Sequence, residues 1–272
     1  RRQGESLLQR PINENWSTQS SLAFYSALPC NKEVWSAAEA KLKEESHLYW
    51  QKAACCRKVD TVEEAVYIFE QYCSVGRQSD ALLFAHYCIE DDVDVDPDIL
   101  LKCLQGYSPD SRRGFETHFV PEICDYIARK YPTIDLAWQE FRLFPLFQDG
   151  DESYLLKLLS SNPEFFVAIL SLAYKPHNRV EDQTHEASKD AATRAFEVLW
   201  RWKRVPGLQD DGEVDKEAFD RWIAMTLEKS RKADRLEVAE ITIGSCLFHA
   251  PKDQTGLFIN RTILITGHNR QY

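Results

Sequence analysis

The chain has 272 residues, of which 44% are hydrophobic and 28% are charged, a balance that is typical of a folded chain and excludes wholesale disorder. Its formal net charge of -10 argues against a nucleic-acid surface as the main function, because phosphate binding requires a basic face. No apolar run approaches the roughly 18 residues that a membrane-spanning helix needs, and we expect no signal peptide. These features predict a cytoplasmic protein that acts on neither a membrane nor nucleic acid.

The eight cysteines show no regular spacing, and several, such as Cys73 and Cys88, fall on apolar helix faces. Reduced, buried thiols are the simplest interpretation for such residues in a cytosolic protein. The chain begins with Arg1, and its only methionine is Met225. We therefore expect it to be a fragment of a longer protein.

In chain order, residues 1–30 are predicted to form an entry segment and one short helix, from Trp16 to Leu28, that Pro29 ends. Asn31 is suited to cap the next helix, which the apolar positions extend to about Trp50.

The stretch 61–90 predicts a helical hairpin. Thr61 and Glu64 have the spacing of a capping box, which satisfies two backbone N–H groups at a helix start. An apolar stripe follows to Cys73, and Gly76 then supplies a residue that can adopt the left-handed conformation. A second stripe begins after Ser79. Two short helices that face each other in this way need neighbouring hairpins to bury their apolar surfaces.

Two later helices are introduced by a capping residue followed by proline, at Asp96–Pro97 and Asn162–Pro163. Between them, apolar patterns predict helices from about 115 or 120 to 131, from 136 to 147, and from 154 to 159. The segment 108–114 reads as a turn and 177–183 as a polar loop.

Three further helices are predicted, one ending near Lys203, one capped by Asp215, and one from about Leu236 to His249. Residues 252–272 are polar and show no helical stripe, so an irregular segment is expected. The one possible strand alternation is 262–266.

The predicted fold class is therefore all-α, a degenerate solenoid of helical hairpins of the TPR or HEAT kind, without the signature of a specific repeat family. Its stacked hairpins would span 31–250, with a sub-boundary near 148–152 or 176–184, and 251–272 would form an irregular tail.

No residue pattern in the sequence matches a metal or catalytic motif completely. The acidic run over 92–98 begins like a calcium loop, but Pro97 stands where glycine is required and Cys103 where the bidentate glutamate is required. The ligand types for zinc lack the paired spacing that lets two ligands share one tetrahedral ion; they are Cys55, Cys56, His86, Cys88 and Cys103. We expect neither a metal nor another cofactor.

No phosphate-binding glycine loop and no nucleophile elbow are present in the sequence. Glu39 and Lys41 have the Glu-x-Lys spacing of some metal-dependent nucleases, but in mid-helix they point to different faces. The alternative of a helical enzyme with a site between hairpins rests on four residues: His86, His118, Glu122 and His249.

A basic and aromatic cluster lies near the end of the helix before residue 203. Tryptophan and arginine are common anchors of protein interfaces, and the candidate partner-binding residues are Arg194, Trp200, Arg201, Arg204 and Arg221. The neighbouring Trp202 falls on the buried stripe, and cations at a helix C-terminus are also favoured by the helix dipole.

The last third of the chain resembles a segment near the end of large, mostly uncharacterised bacterial helical-repeat proteins. The resemblance rests on Trp202, Pro206, Gly207, Asp211, Gly212, Trp222, Arg231, Arg235, Gly244, Ala250 and Pro251, and extends to the upstream YWQKA stretch and the hairpin 61–90. It fails after Gly256, where Phe258–Ile259 replaces an expected Trp-Pro pair. It implies a structural region that follows other domains, and no active-site residue is implied.

These observations favour an interaction or scaffold region that binds an unidentified protein partner through a solenoid surface. The alternatives are the helical enzyme above and a spacer that binds nothing.

Overall fold

The structure, a computed structural model, describes residues 7–108, 116–148, 153–173, 186–202, 204–209, 211–232, 234 and 236–266. These residues form helices and contain no strand, apart from one isolated bridge between Leu208 and Val214. The all-helical class is therefore confirmed. The predicted turn at 108–114, the candidate boundaries at 148–152 and 176–184, and the ends 1–6 and 267–272 lie largely or wholly outside the described residues.

The chain divides into two compact units, Arg1–Ile134 and Asp135–Tyr272. Both sub-boundaries suggested by the sequence lie within the second unit. The helices of the first unit are α1 (Arg10–Asn13), α2 (Thr18–Ser26), α3 (Lys32–Leu42), α4 (His47–Lys52), α5 (Val62–Ser74), α6 (Gln78–Glu90), α7 (Pro97–Gly106) and α8 (Glu116–Lys130).

Side-chain caps start three helices of this unit, α3, α5 and α7, where the sequence predicts them. The side chains of Asn31 and Thr61 accept hydrogen bonds from the backbone N–H groups of Val34 and Glu64. Asp96 caps α7, with Pro97 at the first helical position. Each cap satisfies an N–H group that the helix start leaves unpaired.

The hairpin of α5 and α6 turns at Gly76, whose φ of 77° is in the left-handed region, as predicted. The next residue, Arg77, ties the hairpin to the preceding loop. Its guanidinium donates to the backbone oxygens of Trp50 and Ala53 at 2.8 and 2.6 Å, and it also pairs with Asp80 at 2.8 Å. This single side chain therefore joins the turn of the hairpin to the end of α4.

The single helix predicted from Asn31 to about Trp50 is wrong, because α3 ends at Leu42. Lys43 takes a φ of 51°, a turn of 3-10 helix covers Lys43–Glu45, and α4 then starts. The segment at the break is polar and offers nothing to the core, whereas the change of direction brings Tyr49 and Trp50 to full burial. Burial of two large aromatic side chains outweighs the local cost of the break.

The helices of the second unit are α9 (Ala137–Leu143), α10 (Tyr154–Ser161), α11 (Pro163–Ala173), α12 (Glu186–Arg201), α13 (Lys216–Lys232), α14 (Leu236–Phe248) and α15 (Thr255–Thr266). A turn of 3-10 helix containing Pro145 follows α9. Asn162 caps α11 and Asp215 caps α13, both as predicted. In the described part of the chain no single helix could cross a membrane by length and composition; α10 and α11 meet that requirement only jointly, as a pair bent by 110°.

An aromatic core holds this unit together. The Phe166 ring lies 5.1 Å from the ring of Trp202 and 4.9 Å from that of Trp222, and Phe219 contacts the same cluster. Trp202 is 4% exposed, so its predicted place on the buried stripe is confirmed. Helices α11, α12 and α13 therefore meet around these rings.

The irregular tail predicted for 251–272 is wrong over Thr255–Thr266, which forms α15, and so is the possible strand at 262–266. Phe258 is fully buried, and its ring lies 4.8 Å from that of Phe219. Arg261 forms a two-pronged ion pair with Asp220 on α13. The sequence of α15 shows no apolar stripe that would predict a helix, and packing against α13 stabilises the helix instead.

The expectation that all cysteines are reduced is also wrong, because Cys30 and Cys56 form a disulfide. It joins the start of α3 to the loop before α5. The hydroxyl of Tyr72 accepts a 2.9 Å hydrogen bond from the Cys56 N–H and donates to the Ala54 oxygen at 3.2 Å, so the loop is also fixed from α5. Six cysteines remain free, and four of them are buried, as predicted: Cys88, Cys103, Cys124 and Cys246.

Candidate functional site

Two exposed aromatic side chains of the second unit lie on one face of α12. Trp200 is 76% exposed, and Phe196, one helical turn earlier on the same face, is 50% exposed. The alternate face of α12 carries the buried Ala195, Val198 and Trp202. The helical period therefore explains why two tryptophans that are two residues apart, Trp200 and Trp202, have opposite environments.

Helix α14 supplies the opposite side of a groove against this surface. Its Ile241 is 62% exposed, and a small cavity of about 130 Å³ lies between the two helices. The cavity is lined by Phe196, Leu199, Trp200, Trp202, Ile241, Thr242, Ser245 and Cys246. We call this feature the α12/α14 groove.

Two of the polar side chains that line the α12/α14 groove, Thr242 and Cys246, add little polarity to it. The hydroxyl of Thr242 already donates to the Val238 oxygen of its own helix, at 2.7 Å. Burial raises the pKa of the Cys246 thiol, which stays protonated at neutral pH. Exposed apolar side chains arranged around a depression mark a site for another apolar surface.

Two of the predicted partner-binding arginines contact aromatic rings of α9 and the turn after it. The guanidinium of Arg201 lies 4.5 Å from the centre of the Phe144 ring and donates to the Phe147 backbone oxygen at 2.7 Å. The guanidinium of Arg194 lies 5.8 Å from the Phe141 ring. Both therefore connect α12 to α9 and the turn after it.

The two remaining arginines lie on other surfaces of the unit. Arg204 lines a cleft of about 420 Å³ together with Lys157. Arg221 pairs with Glu164 at 3.4 Å, and both side chains are 58% exposed, so the pair contributes little to stability. Of the five predicted residues, Trp200 alone lies in the α12/α14 groove.

Sequence reasoning missed Phe196 and Ile241. A signal for Ile241 was present, because α14 is apolar on nearly every side, which is unusual for a helix with an exposed face. Phe196 gave no such signal, since a single aromatic residue off the main stripe is common on helix surfaces.

The first unit contains a separate cleft of about 570 Å³ between α6 and α8. It is lined by Ser79, Asp80, Leu83, His86, Tyr87, Glu116, His118 and Phe119. Three of the four residues suggested for a helical enzyme come together here, because Glu122 also contacts His86. The fourth, His249, belongs to the second unit.

Several polar groups of this cleft lie close to carboxylates. Nδ1 of His86 lies 2.9 Å from the Glu122 carboxylate, and Nε2 lies 3.5 Å from that of Glu90. The hydroxyl of Ser79 donates to Glu116 at 2.6 Å, and that glutamate is 1% exposed. Ser79 is thus hydrogen-bonded to a carboxylate, so among the described residues of the cleft no nucleophile is joined to a histidine base.

The other candidate residues for chemistry have local structural partners. Glu39 accepts hydrogen bonds from the Trp50 indole N–H, at 2.9 Å, and from the Tyr67 hydroxyl. In the acidic run, Asp94 pairs with Lys130 at 2.6 Å while Asp96 caps α7. Within the described ranges, no three His, Cys, Asp or Glu side chains are grouped so that they could hold a metal ion.

This chain matches no protein-family model, no curated protein and no solved structure. The geometry of the α12/α14 groove and of the α6/α8 cleft is therefore the basis on which function can be argued.

Proposed function

We propose that this chain is a protein-binding region, built as a solenoid of stacked helical hairpins, and that an amphipathic helix of its partner binds in the α12/α14 groove. The observation that carries the proposal is the exposure of Trp200, at 76%, beside Phe196 and opposite Ile241. Trp200 contributes nothing to the core and lies at an apolar depression. Tryptophan is one of the residue types most enriched among binding hot spots.

The shape and chemistry of the groove favour a helix as the occupant. Two helices form its walls, and the exposed side chains on α12 repeat after one turn, which is the spacing of the anchor residues of an amphipathic helix. The exposed Glu197 and Glu240 are adjacent in sequence to Phe196 and Ile241 and place negative charge beside the groove. A partner helix with an apolar face and basic flanking residues would match both features.

A peptide-display library of helical sequences tests this proposal with a defined ligand. Peptides selected on the whole chain should carry an apolar face with lysine or arginine at its edges. Trp200→Ala should weaken the affinity of such a peptide at least about 30-fold, because removing a central aromatic anchor costs about 2 kcal/mol or more. Glu240→Lys, made as a separate variant, should also weaken the affinity for the peptide, and this loss should be largest at low salt.

Leu264→Ala is the matched control, because Leu264 is 78% exposed on α15 and lies outside the groove. Its affinity for the selected peptide should equal that of the wild type. The groove is refuted as the binding site if Trp200→Ala and Leu264→Ala lower the affinity for the peptide equally. It is also refuted if neither change affects the affinity.

A second function, the binding of a small molecule, is favoured by one observation in the first unit. The α6/α8 cleft combines a volume of about 570 Å³ with the His86–Glu122 pair at its edge and an apolar wall that includes Phe119. Binding of a ligand there would move the NMR resonances of His86 and His118 while leaving those of His249 unchanged. A fragment screen read in this way distinguishes the cleft from the groove.

The bacterial origin suggested by the resemblance and the cytoplasmic location stay predictions. The Cys30–Cys56 disulfide argues against the predicted cytoplasmic location, because disulfides persist mainly in oxidising compartments.

A further inference from the structure

Two free cysteines of the first unit lie close together on neighbouring helices. Cys73 is near the end of α5 and Cys103 is in the second half of α7, and their Sγ atoms are 3.9 Å apart. Cys103 is 1% exposed, whereas Cys73 is only half-buried. The pair therefore combines a partly exposed cysteine with a buried one.

The contact makes the two thiols chemically different. The hydrogen bond from the Cys103 thiol, helped by the charge of Lys102, lowers the pKa of Cys73 to about 7 despite its partial burial. The same contact, together with burial, raises the pKa of Cys103. At neutral pH a large fraction of Cys73 is thus the thiolate, which is the nucleophilic form.

The other free cysteines with perturbed acidity are shifted in the opposite direction. Burial raises the pKa of Cys55 and that of Cys88 to about 12, and it also raises that of Cys246. Cys88 and Cys246 are, in addition, almost fully covered by protein. Accessibility and thiolate character coincide at Cys73 and not at these three residues.

We propose that Cys73 and Cys103 form an oxidisable dithiol site, in which a hydroperoxide oxidises Cys73 and Cys103 then closes a disulfide between α5 and α7. In the first step the Cys73 thiolate attacks one peroxide oxygen of hydrogen peroxide; the O–O bond breaks, hydroxide leaves, and Cys73 becomes a sulfenic acid. In the second step the Cys103 sulfur attacks the sulfenic sulfur, an S–S bond forms, and water leaves with the Cys103 proton. The two thiols lose two electrons, and the peroxide gains them.

The separation of the sulfur atoms makes the second step geometrically accessible. A disulfide needs about 2.05 Å between the sulfur atoms, so they must approach by less than 2 Å from the 3.9 Å at which they start. Rotation about χ1 of either side chain moves a sulfur by that order of distance. The new bond would link the α5/α6 hairpin to the helix that follows it, which is a covalent change in the body of the first unit.

Peptide mapping of the whole chain without reducing agent tests the site. The chain is treated with a small excess of hydrogen peroxide, the remaining thiols are alkylated, and the digest is analysed by mass spectrometry. We expect a Cys73-to-Cys103 linked peptide pair that is about 2 Da lighter than the sum of the two thiol peptides. Cys88→Ala, a change at a buried thiol outside the pair, should give the same linked product at the same rate.

Cys103→Ala separates this mechanism from accidental oxidation. The variant cannot close the disulfide, so the sulfenic acid of Cys73 should persist and be trapped by dimedone. Its rate of alkylation by iodoacetamide should also rise with pH at a higher midpoint than in the wild type, because the hydrogen bond that stabilises the thiolate is gone. The circular dichroism spectrum of the variant should equal that of the wild type, which is the check that the variant is folded.

The proposal is overturned if peroxide oxidises Cys55 or Cys88 as fast as Cys73. It is also overturned if the folded wild type accumulates the sulfenic acid of Cys73 without forming the link to Cys103.

Discussion

Ser153 donates a 2.6 Å hydrogen bond to the carboxylate of Glu140, and the two side chains are only 4% and 1% exposed. The same carboxylate accepts from the backbone N–H groups of Leu155, at 2.8 Å, and Tyr154, at 3.2 Å. A residue of α9 thus completes the N-terminal cap of α10, which Ser153 begins by accepting from the Leu156 N–H. Both helices that meet here contribute to the core of the second unit, α9 through Phe141 and α10 through Leu155 and Leu159.

The buried position of Glu140 makes stability depend on pH. Burial raises the pKa of this carboxyl above its usual value of 4.5, although three hydrogen bonds oppose the rise. The folded chain therefore holds the proton more tightly than the unfolded chain. The resulting contribution to stability is complete below the pKa of the unfolded carboxyl and is lost as pH rises through the folded-state pKa.

Glu140→Gln should remove this pH dependence and lower the free energy of unfolding by about 1 to 3 kcal/mol, because the new NH₂ group must face a backbone or hydroxyl donor. Urea unfolding between about pH 4 and pH 8 measures both effects. Glu164→Gln, at a carboxylate that is 58% exposed, is the control and should behave as the wild type. If the two variants have the same unfolding curves at every pH, Glu140 does not titrate or cap in this way.

The parts of the fold that were predictable from sequence are those set by neighbours in the chain. The caps at Asn31, Thr61 and Asp96, and the turn at Gly76, depend on groups within about four residues of each other. The side of α12 that faces inward follows from the helical period alone, which is why the burial of Trp202 was predicted correctly.

The parts that were missed depend on partners far along the chain. The end of α3 at Leu42 is decided by where Trp50 packs, and the choice of Cys56 as the partner of Cys30 has no sequence signal. The groove itself requires Phe196 and Ile241 to meet across two helices. A local pattern contains no information on which exposed residues are brought together by packing.

The Cys30–Cys56 disulfide should stabilise the first unit. It links residues that are 26 apart in sequence, and closing a loop of this length in the unfolded chain is worth about 3 kcal/mol. The Cys30→Ala/Cys56→Ala double variant should accordingly unfold at a lower urea concentration than the oxidised wild type. Reduction should lower the wild-type midpoint and leave that of the variant unchanged. A wild type whose midpoint does not respond to reduction would contradict the bond.

Two adjacent residues on α12, Trp200 and Arg201, should differ in how much their truncation lowers stability. Arg201→Ala removes the contact with the Phe144 ring and the hydrogen bond to Phe147, so we expect a loss of about 1 to 2 kcal/mol in the free energy of unfolding. Trp200→Ala removes a side chain that is mostly in solvent and should change stability by less than about 0.5 kcal/mol. Calorimetric midpoints of the two variants decide the matter. A larger loss in Trp200→Ala would mean that this ring supports the fold and is not available as a binding anchor.

Two glycines of one loop, Gly207 and Gly212, should differ in their tolerance of a side chain. Both have positive φ values, 77° and 85°, so alanine at either position is strained, by about 1 kcal/mol. A Cβ on Gly207 would in addition lie 2.4 Å from the Asp215 backbone oxygen, whereas one on Gly212 would meet nothing within 4 Å.

The Gly207 backbone cannot retreat easily from that contact, because its N–H donates to the Ser160 oxygen and its own oxygen accepts from the Asp215 N–H at 2.7 Å. We therefore expect Gly207→Ala to cost about 3 kcal/mol and Gly212→Ala about 1 kcal/mol. Urea unfolding of the two variants, side by side, isolates the clash from the shared effect of positive φ. Equal losses would show that the start of α13 yields to a methyl group, and that the close approach of Gly207 to Asp215 is not required by the fold.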